Sequence, residues 1–93
     1  MARIQQIRQK ILDRAYYLSS HAEEEMLDDD LERDDVENDI LKGQIEKKLS
    51  EDIRGTRYHV QGPAKDGRLI HVVVRFKEDA NLIVITVYAL EIP

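Results

Sequence analysis

The sequence predicts an α+β fold in which N-terminal helices pack on one face of a four-stranded antiparallel sheet. The first observation is a change of hydrophobic period: apolar residues recur at helical spacing up to Gly43, and the alternation typical of strands begins at Gln44. The second is a set of short breaks (EDIRG, GPAKDG and KEDAN) with the composition of turns. With 93 residues and no internal repeat, the chain is expected to form a single domain over residues 1–93.

An N-terminal helix is predicted in residues 1–14. Isoleucines recur there at helical spacing with Arg and Lys between them (RIQQIRQKIL), so one face is apolar and the other is charged. The next segment, YYLS, is β-prone and short. It is either an edge strand or an extended lead-in to the second helix.

Residues 15–43 are predicted to be mainly helical. Ser20 is a favourable N-cap for a second helix, in which Met26 faces inward. A third helix over about 33–42 ends at Gly43, a residue type that often terminates helices. These helices supply the layer that covers one face of the predicted sheet.

Residues 44–93 are predicted to form the four antiparallel strands, from the runs QIEKKLS, TRYHVQG, RLIHVVVRF and NLIVITVYAL. Alternate side chains of a strand point to opposite faces of the sheet. The set predicted to face the helices is apolar and consists of Ile70, Val72, Val74, Phe76, Ile83, Ile85, Val87 and Ala89. The remaining side chains are predicted to lie on the opposite face.

That opposite face carries the polar candidates for a functional site. It gathers two arginines, two histidines, a threonine and a tyrosine: Arg57, Arg75, His59, His71, Thr86 and Tyr88. Val73 and Val84 are predicted to lie between them, and a freely exposed sheet rarely carries such valines. Something is therefore expected to cover this face part of the time. A functional site, a homodimer interface and packing of the N-terminal helix are the alternatives.

Composition narrows the classes of function. Residues 1–41 carry five basic and twelve acidic side chains (net −7), and residues 42–93 carry nine basic and seven acidic (net +2), so the total of −5 conceals a mildly cationic sheet half. There is no cysteine for a disulfide or a zinc-thiolate site. No apolar run approaches the roughly 18 residues of a membrane helix, and no signal-peptide pattern opens the chain. We expect a cytoplasmic protein that does not bind membranes.

The most unusual stretch is the acidic run SSHAEEEMLDDDLERDD. His21, Glu24, Glu25 and Asp28 lie on one helical stripe, but the paired His-Glu-x-x-His of zinc proteases is missing. A solvated helix surface explains the carboxylates, and acids near a helix N-terminus are favourable. No metal and no cofactor are therefore predicted. His21 stays a candidate because the start of a helix can reach the sheet edge.

The motifs HAEEEM, DVENDILKG, RGTRY, RLIHVVVRF and LIVITVY resemble, in order and spacing, the DUF4258 family over residues 14–90. The positions that match the family pattern are His21, Met26, Val36, Gly43, Gly55, His71, Thr86 and Tyr88. The chain departs from the pattern at two places in the second helix. Glu25 replaces an arginine, and Asp29-Asp30 replaces an Arg-Gly pair.

The resemblance implies a fold and an activity. The family is similar to RelE/ParE-like and BrnT-like toxins of type II toxin–antitoxin modules, which implies a RelE-like fold and metal-independent endoribonuclease cleavage of mRNA. It also implies an antitoxin partner, often a zinc-finger protein. The catalytic candidates are His71, His21, His59 and Tyr88, and the RNA-binding candidates are Arg57, Arg75 and Thr86. The alternative is a non-catalytic protein-interaction domain of the same fold that binds through Val73 and Val84.

Overall fold

A computed structural model describes residues 3–50 and 53–90. The helices and strands follow one another as α1 (Arg3–Leu12), β1 (Tyr16–Leu18), α2 (Ser20–Asp28), α3 (Arg33–Lys42), β2 (Gln44–Leu49), β3 (Arg57–Pro63), β4 (Leu69–Phe76) and β5 (Leu82–Ala89). The α+β class is confirmed. The predicted number of strands is wrong, since the described part of the chain forms a five-stranded sheet in the order β1-β5-β4-β3-β2.

The additional strand is β1, from the segment that was expected to be an edge strand or a lead-in. It runs parallel to the start of β5, with Tyr16 opposite Leu82 and Leu18 opposite Val84. The Ser19 main-chain N–H continues the pairing by donating to the Val84 carbonyl at 2.9 Å. Three residues are too few to show alternation, so only the tertiary pairing makes this segment a strand.

The helices cover one face of the sheet, and the core lies between the two layers. Apolar side chains from all three helices enter it: Ile7, Ile11, Ala22, Met26, Val36 and Ile40. The strands contribute Tyr58, Val60, Ile70, Val72, Val74, Leu82, Val84 and Val87. Within residues 3–50 and 53–90, no helix has the length and apolar character that crossing a membrane requires.

The N-terminal helix belongs to this helical layer. Arg8 of α1 donates from Nε to the Ile40 carbonyl (2.9 Å) and from Nη2 to the Gly43 carbonyl (2.7 Å). A cation at these carbonyls compensates the negative end of α3. With Ile7 fully buried in the core, α1 packs on the helix side of the sheet. The alternative in which the N-terminal helix covers the polar face is therefore wrong.

A β-bulge in β5 changes which of its side chains face the core. A register shift after Val73 leaves Ile85 without an opposite residue on β4. One extra residue moves all earlier side chains to the other face, so Leu82 and Val84 are fully buried. The predictions that Ile83 faces the helices and that Val84 faces away are wrong. Strict alternation does not reveal a bulge.

The C-terminal end of α3 crosses β3 at two glycines, Gly43 and Gly62. A Cβ on Gly62 would lie 2.5 Å from the Asp39 carbonyl oxygen and 2.8 Å from Cα of Gly43. Asp39 is fully buried at this crossing. Neither of its carboxyl oxygens has a hydrogen-bond partner among the described residues. The two layers thus meet through main-chain contact, with one carboxyl group enclosed between them.

Replacing Gly62 by Ala is expected to destabilise the protein by about 3 kcal/mol or more, because the new methyl group meets main-chain atoms that cannot rotate away. Gly67→Ala is the comparison. Gly67 has φ +92°, but no heavy atom lies within 4 Å of the position that a Cβ would take, so only backbone strain of about 1–2 kcal/mol opposes that change. Urea unfolding measures both, and equal losses would contradict the steric explanation.

Candidate functional site

The sheet face opposite the helices, which we call the open face, carries its side chains in three cross-strand rows. The strand registers define them: Gln44, Gln61, His71 and Tyr88 in the first row; Lys47, His59, Val73 and Thr86 in the second; Leu49, Arg57, Arg75 and Ile83 in the third. Six of the seven predicted site residues share this face. The seventh, His21, does not.

The first row is organised by two hydrogen bonds to one imidazole. His71 Nδ1 lies 2.9 Å from the Tyr88 hydroxyl oxygen, and His71 Nε2 lies 2.8 Å from Gln61 Oε1. An amide oxygen only accepts, so we assign the proton of the neutral ring to Nε2, which leaves Nδ1 to accept from the Tyr88 hydroxyl. The row is a hydrogen-bonded line along which a proton can pass between phenol and imidazole, with Gln61 setting the tautomer.

The second row places a further histidine beside the first. The rings of His59 and His71 meet edge to face, with centroids 6.5 Å apart. Burial lowers the pKa of His59 below the ordinary 6.5, and electrostatic interaction with His71 and with the cations Lys47 and Arg57 lowers it further. Val73, only 4 % exposed, lies in the same row. His59 is therefore neutral at neutral pH and can accept a proton.

The third row is cationic. Arg57 and Arg75 are directly opposite each other on neighbouring strands, an arrangement in which like charges repel. Arg75 also donates from Nη1 to the Arg54 carbonyl at 3.2 Å. A groove of about 580 Å³ opens beside Arg75 and is lined by Ile53, Arg54, Arg75, Lys77, Glu78 and Asp79. A guanidinium group can bind two phosphate oxygens at once, so two arginines opposite each other on neighbouring strands suit a phosphate.

Two carboxylates, one in α2 and one at its C-cap, close the outer edge of β5 beyond β1. The Val87 N–H donates to Glu25 Oε1 at 3.2 Å, and the Ala89 N–H donates to Asp29 Oδ2 at 2.8 Å. His21 lies beside them, with Nε2 3.2 Å from Glu25 Oε1 and its side chain 65 % exposed. No described contact joins His21 to the open face. It therefore stands apart from the three rows.

These contacts give Glu25 and Asp29 a structural role in this chain. Glu25 and Asp29 occupy positions where the resemblance leads one to expect arginine, and an arginine side chain has no atom that accepts a hydrogen bond. Asp35 also binds main chain, accepting from the Glu32 N–H at 2.8 Å and from the Lys65 N–H at 2.9 Å.

Within the ranges described, no group of three potential ligands converges on a metal position.

Sequence reasoning missed two contributors to the open face. Gln61 was not among the predicted site residues, because its position opposite His71 depends on the strand register, which has no local signal. Ile83 was assigned to the helix side because the bulge was not foreseen. Ile83 replaces Val84 as the apolar residue of β5 on this face, so the predicted Val73/Val84 surface does not exist.

Comparison with known proteins adds one finding. A family model described as "Domain of unknown function (DUF4258)" matches residues 18–89. The matched range contains α2, α3, the four antiparallel strands and every residue of the three rows. Neither the curated proteins nor the solved structures contain a significant match to the chain. The family resemblance predicted from the motifs is confirmed.

Proposed function

The chain belongs to the DUF4258 family, which is defined by a domain of unknown function, and we propose that this member is a metal-independent endoribonuclease acting on mRNA. The observation that carries the proposal is the hydrogen-bonded row of Tyr88, His71 and Gln61 beside the neutral ring of His59. Helices on one face of a sheet are also the arrangement expected of a RelE-like fold, so the proposal extends to the toxin of a type II toxin–antitoxin module.

The proposed reaction needs only groups that the open face contains. The 2′-oxygen of a ribose attacks the adjacent phosphorus, and the bond from that phosphorus to the 5′-oxygen of the next nucleotide breaks. A base takes the proton of the 2′-hydroxyl, and an acid gives a proton to the departing 5′-oxygen. The products are a 2′,3′-cyclic phosphate and a 5′-hydroxyl, so atoms and charge balance without a co-reactant. Cations stabilise the charge that develops on the phosphorane.

The two proton transfers have distinct candidates. His59 is the base, because its lowered pKa leaves the ring able to accept a proton at neutral pH. Tyr88 is the acid: its hydroxyl group donates to His71 Nδ1 at 2.9 Å before the reaction, turns to the departing 5′-oxygen to give it the proton, and regains a proton from solvent. Both nitrogens of His71 already have partners, so we assign it a positioning role behind Tyr88 rather than contact with RNA.

The remaining candidates bind the RNA in this proposal. Arg57 and Arg75 hold the scissile phosphate from two neighbouring strands. A planar guanidinium group binds two phosphate oxygens at once, which fixes the orientation of phosphorus. The Thr86 hydroxyl group, in the row between the arginines and Tyr88, can bond to an adjacent phosphate or ribose. His21 takes no part. An antitoxin, of the zinc-finger type in this proposal, covers the open face until cleavage is required.

The test is cleavage by the purified protein in the presence of EDTA. The substrate is a single-stranded RNA, supplied both free and as a translated mRNA in a cell-free extract. We expect cleavage that leaves 2′,3′-cyclic phosphate ends, and growth arrest when the protein is expressed without an antitoxin. The control is the double variant His59→Gln/Tyr88→Phe, whose fold is checked by circular dichroism. A folded parent protein that cleaves neither substrate would reject the nuclease and leave the non-catalytic interaction domain.

A further inference from the structure

The two sides of the sheet differ in how the main-chain groups of their outer strands are paired. On the β5 side, β1 pairs with the first part of the strand, and Glu25 and Asp29 accept the N–H groups of Val87 and Ala89. On the other side β2 is the last strand, and its outer edge pairs with no residue in the part of the chain that the structure describes. A row of main-chain donors and acceptors on such an edge can pair with another extended chain.

The side chains of β2 give this edge a positive character on both faces of the sheet. Lys47 lies opposite His59 on the open face, and Lys48 lies opposite Tyr58 on the helix side. Both lysines are exposed, and Glu46, at the register shift, is the single acid of the strand. An added strand would therefore run between cations above and below the sheet. Carboxylates on both faces of the added strand would match these cations.

A second copy of the chain fits this edge poorly. When two identical edge strands pair about a twofold axis, the residue at the centre lies opposite its own counterpart. Centring on Lys47 or Lys48 opposes two cations, and centring on Glu46 opposes two acids, so each of these registers has a like-charge contact at its centre, and only the Lys47 register offsets it, by setting Glu46 opposite Lys48. Lysines on an edge strand are a recognised means of preventing self-pairing. They do not hinder a strand of opposite charge.

We infer that β2 is a docking strand, on which an extended acidic segment of a partner protein pairs as an additional strand. Main-chain hydrogen bonds supply the affinity, and Lys47 and Lys48 select for carboxylates on both faces. A segment bound there lies next to the Lys47–His59 end of the open face, so the rest of the partner can extend over it. The inference holds whether or not the open face cleaves RNA.

The experiment uses short N-acetylated peptides with the folded protein and no RNA. One peptide repeats Glu-Glu-Val-Val, which places glutamates on both faces of an extended strand, and the other repeats Lys-Lys-Val-Val. We expect the acidic peptide to shift the NMR amide signals of residues 44–49 and to slow their hydrogen exchange. The variant Lys47→Glu/Lys48→Glu should bind the acidic peptide at least about tenfold more weakly and should acquire affinity for the basic one. The control Lys10→Glu/Lys65→Glu makes the same change of charge on α1 and on the β3–β4 turn.

Several outcomes would overturn the inference. Signals that shift elsewhere than in β2, equal affinity for both peptides, or no binding of either would exclude an acidic strand at this edge. The same conclusion would follow if the control variant lost as much affinity as the β2 variant, since that result would reflect net charge alone. Dimerisation through β2 in sedimentation experiments would assign the edge to a second copy. None of these readouts depends on cleavage, so failure here and failure of the proposed nuclease are separable.

Discussion

The variant Asp39→Asn is expected to raise the free energy of unfolding by about 2–4 kcal/mol at pH 7 and to leave it nearly unchanged at pH 4. Asp39 is fully buried, and its carboxyl oxygens have no hydrogen-bond partner among the described residues. Burial raises the pKa of this group from 3.8 to about 8, and the nearby main-chain N–H of Gly62 offsets only part of that effect. Asparagine has nearly the same shape and no proton to bind or lose.

The sign of this change in stability follows from the number of protons that the folded and unfolded states bind. Between about pH 4 and pH 8 the folded protein keeps Asp39 protonated, whereas the unfolded chain ionises it. The unfolded state then binds fewer protons, so parent stability falls by up to about 1.4 kcal/mol per pH unit across this window and levels off above pH 8. The full pKa difference corresponds to roughly 5–6 kcal/mol. Structural relaxation where α3 crosses β3 reduces that value. We therefore expect the smaller gain in the free energy of unfolding that is stated above.

Urea unfolding at several pH values between 4 and 8 measures the effect. The matched control is Asp66→Asn, since Asp66 is exposed and the Arg68 main-chain N–H lowers its pKa. That control should retain the decline of parent stability with rising pH, whereas Asp39→Asn should remove most of it. An Asp39→Asn variant with the same decline as the parent would show that another group binds the proton.

The fold class was predictable because it depends on local signals. The helical period, the glycine at position 43 and the turn composition of the breaks each act over a few residues. For β1 the sequence left an edge strand and a lead-in as alternatives, and it did not predict the bulge at Ile85, because both features are defined by the partner strand rather than by their own sequence. The environment of Asp39 was predictable only in part. It lies three residues after Val36 on the buried stripe of α3, so its burial had a signal, but its lack of a partner did not.

The candidate site was likewise predictable from the sequence only in part. Alternation on β3 and β4 correctly assigned the histidines and arginines to one face, because a strand without a bulge keeps its period. The hydrogen bonds of His71 depend on which residues lie opposite it, and a shift by one residue would replace Gln61 and Tyr88 by core side chains. Glu25 and Asp29 resembled solvated acids in the sequence, because their acceptor role needs the nearby edge of β5.

If the open face cleaves RNA as proposed, His59→Gln is expected to reduce the cleavage rate by about 10²–10⁴-fold, the usual loss when a general base is removed. The parent enzyme should retain activity below pH 6.5, because burial and the adjacent cations lower the pKa of His59 from that value. Lys47→Gln removes one of those cations, so the pKa of His59 should rise and the acidic limb of the rate profile should move to higher pH.

The measurements are cleavage rates across the acidic limb and an NMR titration of the His59 ring, which reports its pKa even in an inactive variant. Lys65→Gln is the control, since it removes an equivalent charge from a turn outside the three rows, and it should leave both curves in place. Tyr88→Phe should slow cleavage without moving the His59 titration, because it removes the acid and not a charge near the base. If Lys47→Gln shifts the NMR titration of His59 but leaves the acidic limb of the cleavage-rate profile at the same pH, His59 is not the base. That role would then return to His71.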